Sequence, residues 1–191
     1  MRIIAGEHRG RILKAPKGMG TRPMLDRVRE ALFSSLGTRV EDARVLDLFA
    51  GTGSLGLESL SRGAGSARLV ESDRTALAAL RSNVAMLDLA ERAEVVAGDA
   101  LEPAAWGEGA YDLVFFDPPY PLLAASHTRG RLLEVLGTLL SERLTPRGCV
   151  VFHTPRAAFS ADELSPAPEH RLREYGTNAL WTLEARASEG S

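Results

Sequence analysis

The chain is poor in the residues that staple small or extracellular folds. It has one cysteine, Cys149, which excludes a disulfide framework, and its four histidines form no Cys/His cluster with zinc-ligand spacing. No apolar run approaches the ~20 residues needed to span a bilayer, and the opening segment Met1–Arg9 lacks the long apolar stretch of a secretion signal. Repeats and low-complexity tracts are absent. The expectation is a soluble protein of a reducing compartment, cytoplasmic, with no metal and no membrane contact. What remains is ordinary globular material: 191 residues, 45% hydrophobic and 25% charged, long enough for one domain with a sizeable core.

Lysine is almost missing, Lys14 and Lys17 standing against twenty-one arginines, and the charge is unevenly placed. Residues 1–30 hold eight basic and three acidic side chains, a local +5, whereas the rest holds fifteen and twenty-two, a local −7. A basic arm on an acidic body suits a polyanionic partner met by the arm alone. A solvated, charged terminus would have the same composition.

Two strand-like runs, Arg2–Ala5 and Arg11–Ala15, flank His8-Arg9-Gly10 and predict a hairpin. Leu25, Val28, Leu32, Phe33 and Leu36 recur at helical spacing, with Gly37 as the stop. Then short apolar runs alternate with helical patterns. Strands are expected at Val45–Phe49, Ala67–Val70, Ala93–Ala97, Tyr111–Phe116 and Cys149–His153, and helices through about Arg62, at Arg74–Leu87 and at Arg131–Leu144. Near-continuous apolar strands between helices mean a parallel sheet covered on both faces. Arg171–Tyr175 and Leu180–Ala185 around Gly176-Thr177-Asn178 add a terminal antiparallel hairpin. The expected class is a doubly wound, mostly parallel α/β domain, with residues 1–38 as arm, hairpin and helix and 39–191 as the main domain.

In such sheets ligands bind beyond the carboxyl ends of the strands. Polar residues stand there in every case: Asp47 to Gly56 after the first strand, Glu71-Ser72-Asp73 after the second, Gly98-Asp99-Ala100 after the third, Asp117-Pro118-Pro119-Tyr120 after the fourth. Gly51, Gly53 and Gly56 match G-x-G-x-x-G, and Glu71 follows Gly51 by twenty residues, as in dinucleotide sites. An acid at Asp47 is awkward beside a pyrophosphate and suits a cationic ligand that lacks phosphate, such as S-adenosylmethionine. Two prolines stiffen the last loop and remove its backbone donors, leaving a carboxylate and carbonyl acceptors beside the Tyr120 ring. A planar amine could be held by its N–H groups there while its ring stacks.

Together, the Asp47–Gly56 segment, Glu71, Asp99 and Asp117–Tyr120 resemble the class I S-adenosylmethionine-dependent methyltransferases with an (Asn/Asp)-Pro-Pro-Tyr loop, whose sheet has seven strands. Arg2-Ile3-Ile4-Ala5-Gly6, Arg9-Gly10-Arg11 and Arg22-Pro23, followed by Asp26 to Glu30, narrow the resemblance to the bacterial RsmD family. That family methylates the exocyclic N2 of one guanine in 16S ribosomal RNA. The resemblance implies that Ala50, Gly51, Thr52 and Gly53 lie against the methionine part of the cofactor, with Phe49 beside them and Asp47 near its ammonium; Asp47 could instead cap the following turn. Glu71, with Ser72 next to it, would bind the ribose, and Asp99 and Ala100 the adenine. Asp117 and the Pro118 carbonyl would hold the amine, with Pro119 stiffening the loop, Tyr120 stacking on the base, and Asp117 also facing the cofactor. Arg9, Arg11, Lys14, Arg22, Arg27 and Arg29 are the candidate RNA contacts, although Arg27 and Arg29 could equally pair with Glu30 or cover the cofactor cleft. The partner would be 16S rRNA in the small subunit or an assembly intermediate, met by a monomer. His153, His170 and Cys149 read as structural; His127, just after the Asp117–Tyr120 loop, could line the substrate entrance, but that is the lesser reading. Competing readings are methylation of DNA adenine N6 or a protein glutamine, a nicotinamide-dependent oxidoreductase, and a non-catalytic RNA-binding module.

Overall fold

The structure, a computed structural model, describes residues 1–16, 24, 26–164 and 170–184. Seven strands form one sheet in the order β3-β2-β1-β4-β5-β7-β6, the doubly wound arrangement expected. The chain divides into two compact units, Met1–Gly107 and Glu108–Ser191.

In the first unit, β1 (Arg44–Leu48), β2 (Ser66–Glu71) and β3 (Ala93–Ala97) pair in parallel. Val45, Leu46, Leu48, Leu69 and Val70 have essentially no exposure, as a strand covered on both faces requires. Helices α2 (Gly56–Ser61) and α3 (Arg74–Met86) make the crossovers. Asp73 caps α3 by accepting from the Thr75 and Ala76 amides. Helix α1 (Asp26–Leu36) buries Val28, Arg29, Leu32, Phe33 and Leu36, one stripe at three- and four-residue spacing.

The N-terminal hairpin forms: Ile3 N–H donates to the Arg11 carbonyl, Gly10 N–H to Ile3, and Leu13 N–H to Met1. It is bound into this unit by side chains from two helices. The buried Glu58 of α2 accepts from Ile4 N–H at 2.7 Å and Ala5 N–H at 3.1 Å. Asn83 of α3 accepts from Lys14 N–H at 2.8 Å and donates to the Lys14 and Thr52 carbonyls. Gly6 sits at φ +82°, and a Cβ there would lie 1.7 Å from the Ser61 carbonyl oxygen. The arm is therefore packed backbone to helix.

In the second unit, β4 (Tyr111–Phe116) and β5 (Leu144–Pro155) are parallel, while β7 (Asn178–Glu184) runs antiparallel to β5 and to β6 (His170–Tyr175). Strand β5 starts five residues before Cys149, because Leu144 pairs with Tyr111 before a register shift returns Cys149 to Leu113. Pro146, which has no N–H to give the ladder, and Gly148 lie in the shifted stretch. Helices α4 (Tyr120–Ala124) and α5 (Ser126–Glu142) fill the crossover. Phe116 stacks on Phe152 at 5.2 Å, and Cys149 is a fully buried free thiol.

Candidate active site

The two units each carry loops with polar groups at strand ends. In the first, the chain leaves β1 through a sharp turn: Phe49 adopts φ +64°, a left-handed conformation unusual for a bulky residue. Ala50 N–H bonds to the Val70 carbonyl, and Gly53 N–H to Ala50. A Cβ at Gly56 would come within 2.1 Å of a Leu69 methyl, so the last glycine of the motif serves packing between α2 and β2. The Asp47 carboxylate, 1% exposed, accepts from Gly56 N–H at 2.8 Å. This is the turn-capping geometry that the sequence left open as the alternative to an ammonium contact.

Glu71 links two loops. One oxygen accepts from Gly51 N–H at 2.8 Å, the other from Ser72 and Asp73 N–H at 2.8 and 2.7 Å. Three amides hold this half-buried carboxylate in place, and its remaining lone pairs can still accept. Ser72 is exposed, Thr52 and Gly53 are buried, and Ala50 and Gly51 line the turn between them. Asp99 is exposed and accepts from Leu101 N–H. The buried Trp106 indole donates to the Ala100 carbonyl at 2.8 Å, fixing the loop from beneath.

In the second unit, Asp117 directly follows β4, and its side chain is 30% exposed. Pro118 is buried, Pro119 precedes α4, and Tyr120, 46% exposed, opens that helix. Asp117 Oδ1 meets His153 Nδ1 at 2.7 Å. His153 Nε2 meets Asn178 Oδ1 at 3.0 Å, and the Tyr120 hydroxyl donates to the same oxygen at 2.9 Å. Burial pushes the His153 ring toward its neutral form, but the hydrogen bond and charge of Asp117, helped by Asn178, outweigh it and raise its pKa. His153 was expected to be structural and Asn178 to lie in a turn; both instead join the loop. The parallel register carries the missing signal: Phe116 pairs with Phe152, so the residues that follow, Asp117 and His153, emerge side by side. His127 is exposed.

Among the arm residues, Arg9, Arg11, Lys14 and Arg27 are exposed, and the Lys14 ammonium donates to Ser82. Arg22 lies outside the described residues. Arg29 does not share that exposure, contrary to its reading as an RNA contact. It is fully buried, 3.9 Å from Glu58 and 3.2 Å from Asp26, and donates to the Arg2 carbonyl. A group with no exposure cannot contact phosphate, and its partners are Glu58 and Asp26 instead of Glu30. Helical periodicity placed Arg29 beside Val28 on the inner face, a position usually denied to arginine unless it is paired.

The family model described as conserved hypothetical protein 95 matches residues 1–184. The ribosomal RNA small subunit methyltransferase D of Escherichia coli is 44% identical over 144 residues, 75% of this chain and 72% of that protein. The chain belongs to the RsmD family. A solved Escherichia coli structure, the candidate methyltransferase yhhF, superposes with TM-score 0.80 at 34% identity, covering 97% of this chain and 99% of that one. The Thermus thermophilus 16S rRNA N2 G1207 methyltransferase, solved with AdoMet and guanosine, has the same fold at TM-score 0.71 and 22% identity, covering 89% of this chain and 45% of that chain. The sheet of this family member is thus that of the class I methyltransferases.

Proposed function

We propose that this chain transfers a methyl group from S-adenosylmethionine to the exocyclic N2 of a guanine in small-subunit ribosomal RNA, as a cytoplasmic monomer. The observation that carries the reading is the acceptor loop: a partly exposed carboxylate at Asp117, a proline carbonyl at Pro118 and the open ring of Tyr120. Its family relatives are named for this RNA, and a fold neighbour holds guanosine itself.

The strand-end groups fit the cofactor. The acidic side chains among them include Glu71 and Asp99, and the loops that follow β1 and β3 carry no basic residue, which suits a cation without phosphate. Glu71 would take the ribose hydroxyls, Asp99 and Ala100 the adenine, and the turn from Phe49 to Gly53 the methionine portion. Asp47 supports that turn through Gly56. When bound, S-adenosylmethionine supplies an electrophilic methyl on a sulfonium.

The guanine N2 lone pair is delocalised into its ring and is a poor nucleophile. Asp117 and the Pro118 carbonyl accept from its two N–H groups and turn the lone pair out of conjugation, and Tyr120 stacks on the base once it has left its own stack. Asp117 then accepts the proton that the nitrogen sheds. Positioning supplies most of the effect, since a rigid loop holds the amine in a near-attack geometry. Arg9, Arg11, Lys14 and Arg27 contact RNA phosphates, so binding weakens steeply with salt.

The test is transfer of labelled methyl to small ribosomal subunits that lack the modification, followed by nucleoside analysis, with free RNA and duplex DNA in parallel. N2-methylguanosine at one site is the expected product. Label on DNA or on protein, with none on RNA, would replace the substrate and leave the reaction class.

A further inference from the structure

We propose that His153 and Asn178 are positioning residues for the acceptor loop: the His153 ring holds one oxygen of Asp117, and Asn178 passes the same hydrogen-bond chain to the Tyr120 hydroxyl. The inference rests on the reading of Asp117 and Tyr120 as the groups that meet the amine, and it adds two residues that touch neither substrate nor cofactor.

An ionised Asp117 only accepts, so His153 Nδ1, 2.7 Å away, must donate. Asn178 Oδ1 also only accepts, so His153 Nε2, at 3.0 Å, must donate as well. The Asn178 amide nitrogen donates to the Tyr175 carbonyl at 3.3 Å, which keeps its oxygen turned toward His153 and Tyr120. A ring with acceptors on both nitrogens is an imidazolium. The raised pKa of His153 agrees with that assignment.

Two consequences follow for the loop. With Oδ1 held by the ring, the Asp117 carboxylate is oriented so that Oδ2 is left to accept from the amine. Tyr120 is fixed at both ends: its backbone opens α4, and its hydroxyl bonds to Asn178 at 2.9 Å. A stacking ring in a set orientation costs less conformational freedom on binding than one that must be ordered by the base. His153 lies near the C-terminal end of β5 and Asn178 at the start of β7, and the two strands are paired in the sheet, so the supports are held by its ladder.

The arrangement also sets a pH dependence. Facing His153 are Asp117 from the end of β4, Tyr120 from α4 with its ring centroid 6.3 Å away, and the uncharged Asn178 from β7. When the ring loses its proton, one nitrogen becomes an acceptor facing an acceptor. Either the Asp117 bond or the Asn178 bond then breaks, and the loop loosens. Transfer should fall on the alkaline side, with a midpoint above the ordinary histidine value of 6.5.

The experiment compares wild type with His153→Ala, His153→Gln and Asn178→Ala on small ribosomal subunits lacking the modification, measuring kcat and KM across pH. S-adenosylmethionine affinity by calorimetry and thermal unfolding run alongside, and nitrogen-15 shifts report the ring's protonation. Loss of loop positioning should lower kcat by ~10²-fold in His153→Ala, with cofactor affinity unchanged. His153→Gln, whose amide can still donate to Asp117, should recover part of that loss and show no alkaline limb. Asn178→Ala should lower the ring's titration midpoint and reduce kcat less. If His153→Ala does not fold, the glutamine and Asn178 variants decide the matter. An active wild type whose His153 variants keep both its kcat and its pH profile overturns the inference alone. A wild type that binds cofactor but methylates nothing overturns the functional reading, and this inference with it.

Discussion

Replacing Glu58 by alanine tests how the arm is attached. Its carboxylate is fully buried and accepts from two arm amides, Ile4 at 2.7 Å and Ala5 at 3.1 Å, and from Arg62 Nε at 2.7 Å. It is also the buried countercharge of Arg29, whose pKa is lowered by burial against the pull of Glu58 and Asp26. Removing one partner of a buried pair leaves an uncompensated charge and costs about 3–5 kcal/mol. Asp26 survives as a second partner and moderates that figure, while the two stranded amides add to it, at about 1–3 kcal/mol for each one left without an acceptor. For a chain of this size, about 3–5 kcal/mol lowers the melting temperature by roughly 6–20 °C. Glu58→Gln keeps the shape and one acceptor oxygen, so it should fall between wild type and alanine. Urea unfolding followed by circular dichroism gives the stability change, and hydrogen exchange at Ile4 and Ala5 should accelerate together. A loss below about 1 kcal/mol, the scale of an exposed ion pair, would refute the reasoning.

Four further outcomes are expected. Asp117→Ala should abolish methyl transfer while S-adenosylmethionine affinity stays within a few-fold, checked by single-turnover labelling and calorimetry. Charge reversal at Arg9 and Arg11 should weaken RNA binding and flatten its salt dependence, each lost phosphate contact reducing the slope by about 0.7–0.9; an unchanged slope means the arm is not the RNA surface. His153 has a raised folded pKa, so its contribution to stability is fully present below 6.5 and is lost as pH rises through the folded value; urea midpoints should show that decline in wild type and not in His153→Gln. Gly56→Ala would press a methyl against Leu69, where the gap is 2.1 Å, and should cost about 1–3 kcal/mol by overpacking, read by thermal unfolding.

Much of this protein was legible because its information is local. Apolar runs such as Leu113–Phe116 and alternating helical stripes place the strands and crossovers, and polar residues at strand ends mark where ligands belong in a doubly wound sheet. The groups proposed to meet the amine, Asp117-Pro118-Pro119-Tyr120, are four consecutive residues, so that proposal could be framed without a structure. Contacts between distant residues were decided only by tertiary structure. Glu58 meets Ile4 across 54 residues, and His153 meets Asp117 across 36. No periodicity reports which side chain lies opposite which, so Arg29 stood open between RNA, Glu30 and the cofactor cleft, and His153 read as structural. The side chain's surroundings decide whether a charge is solvated or buried, and those are assembled only when helix α2 closes over the arm and β5 aligns with β4.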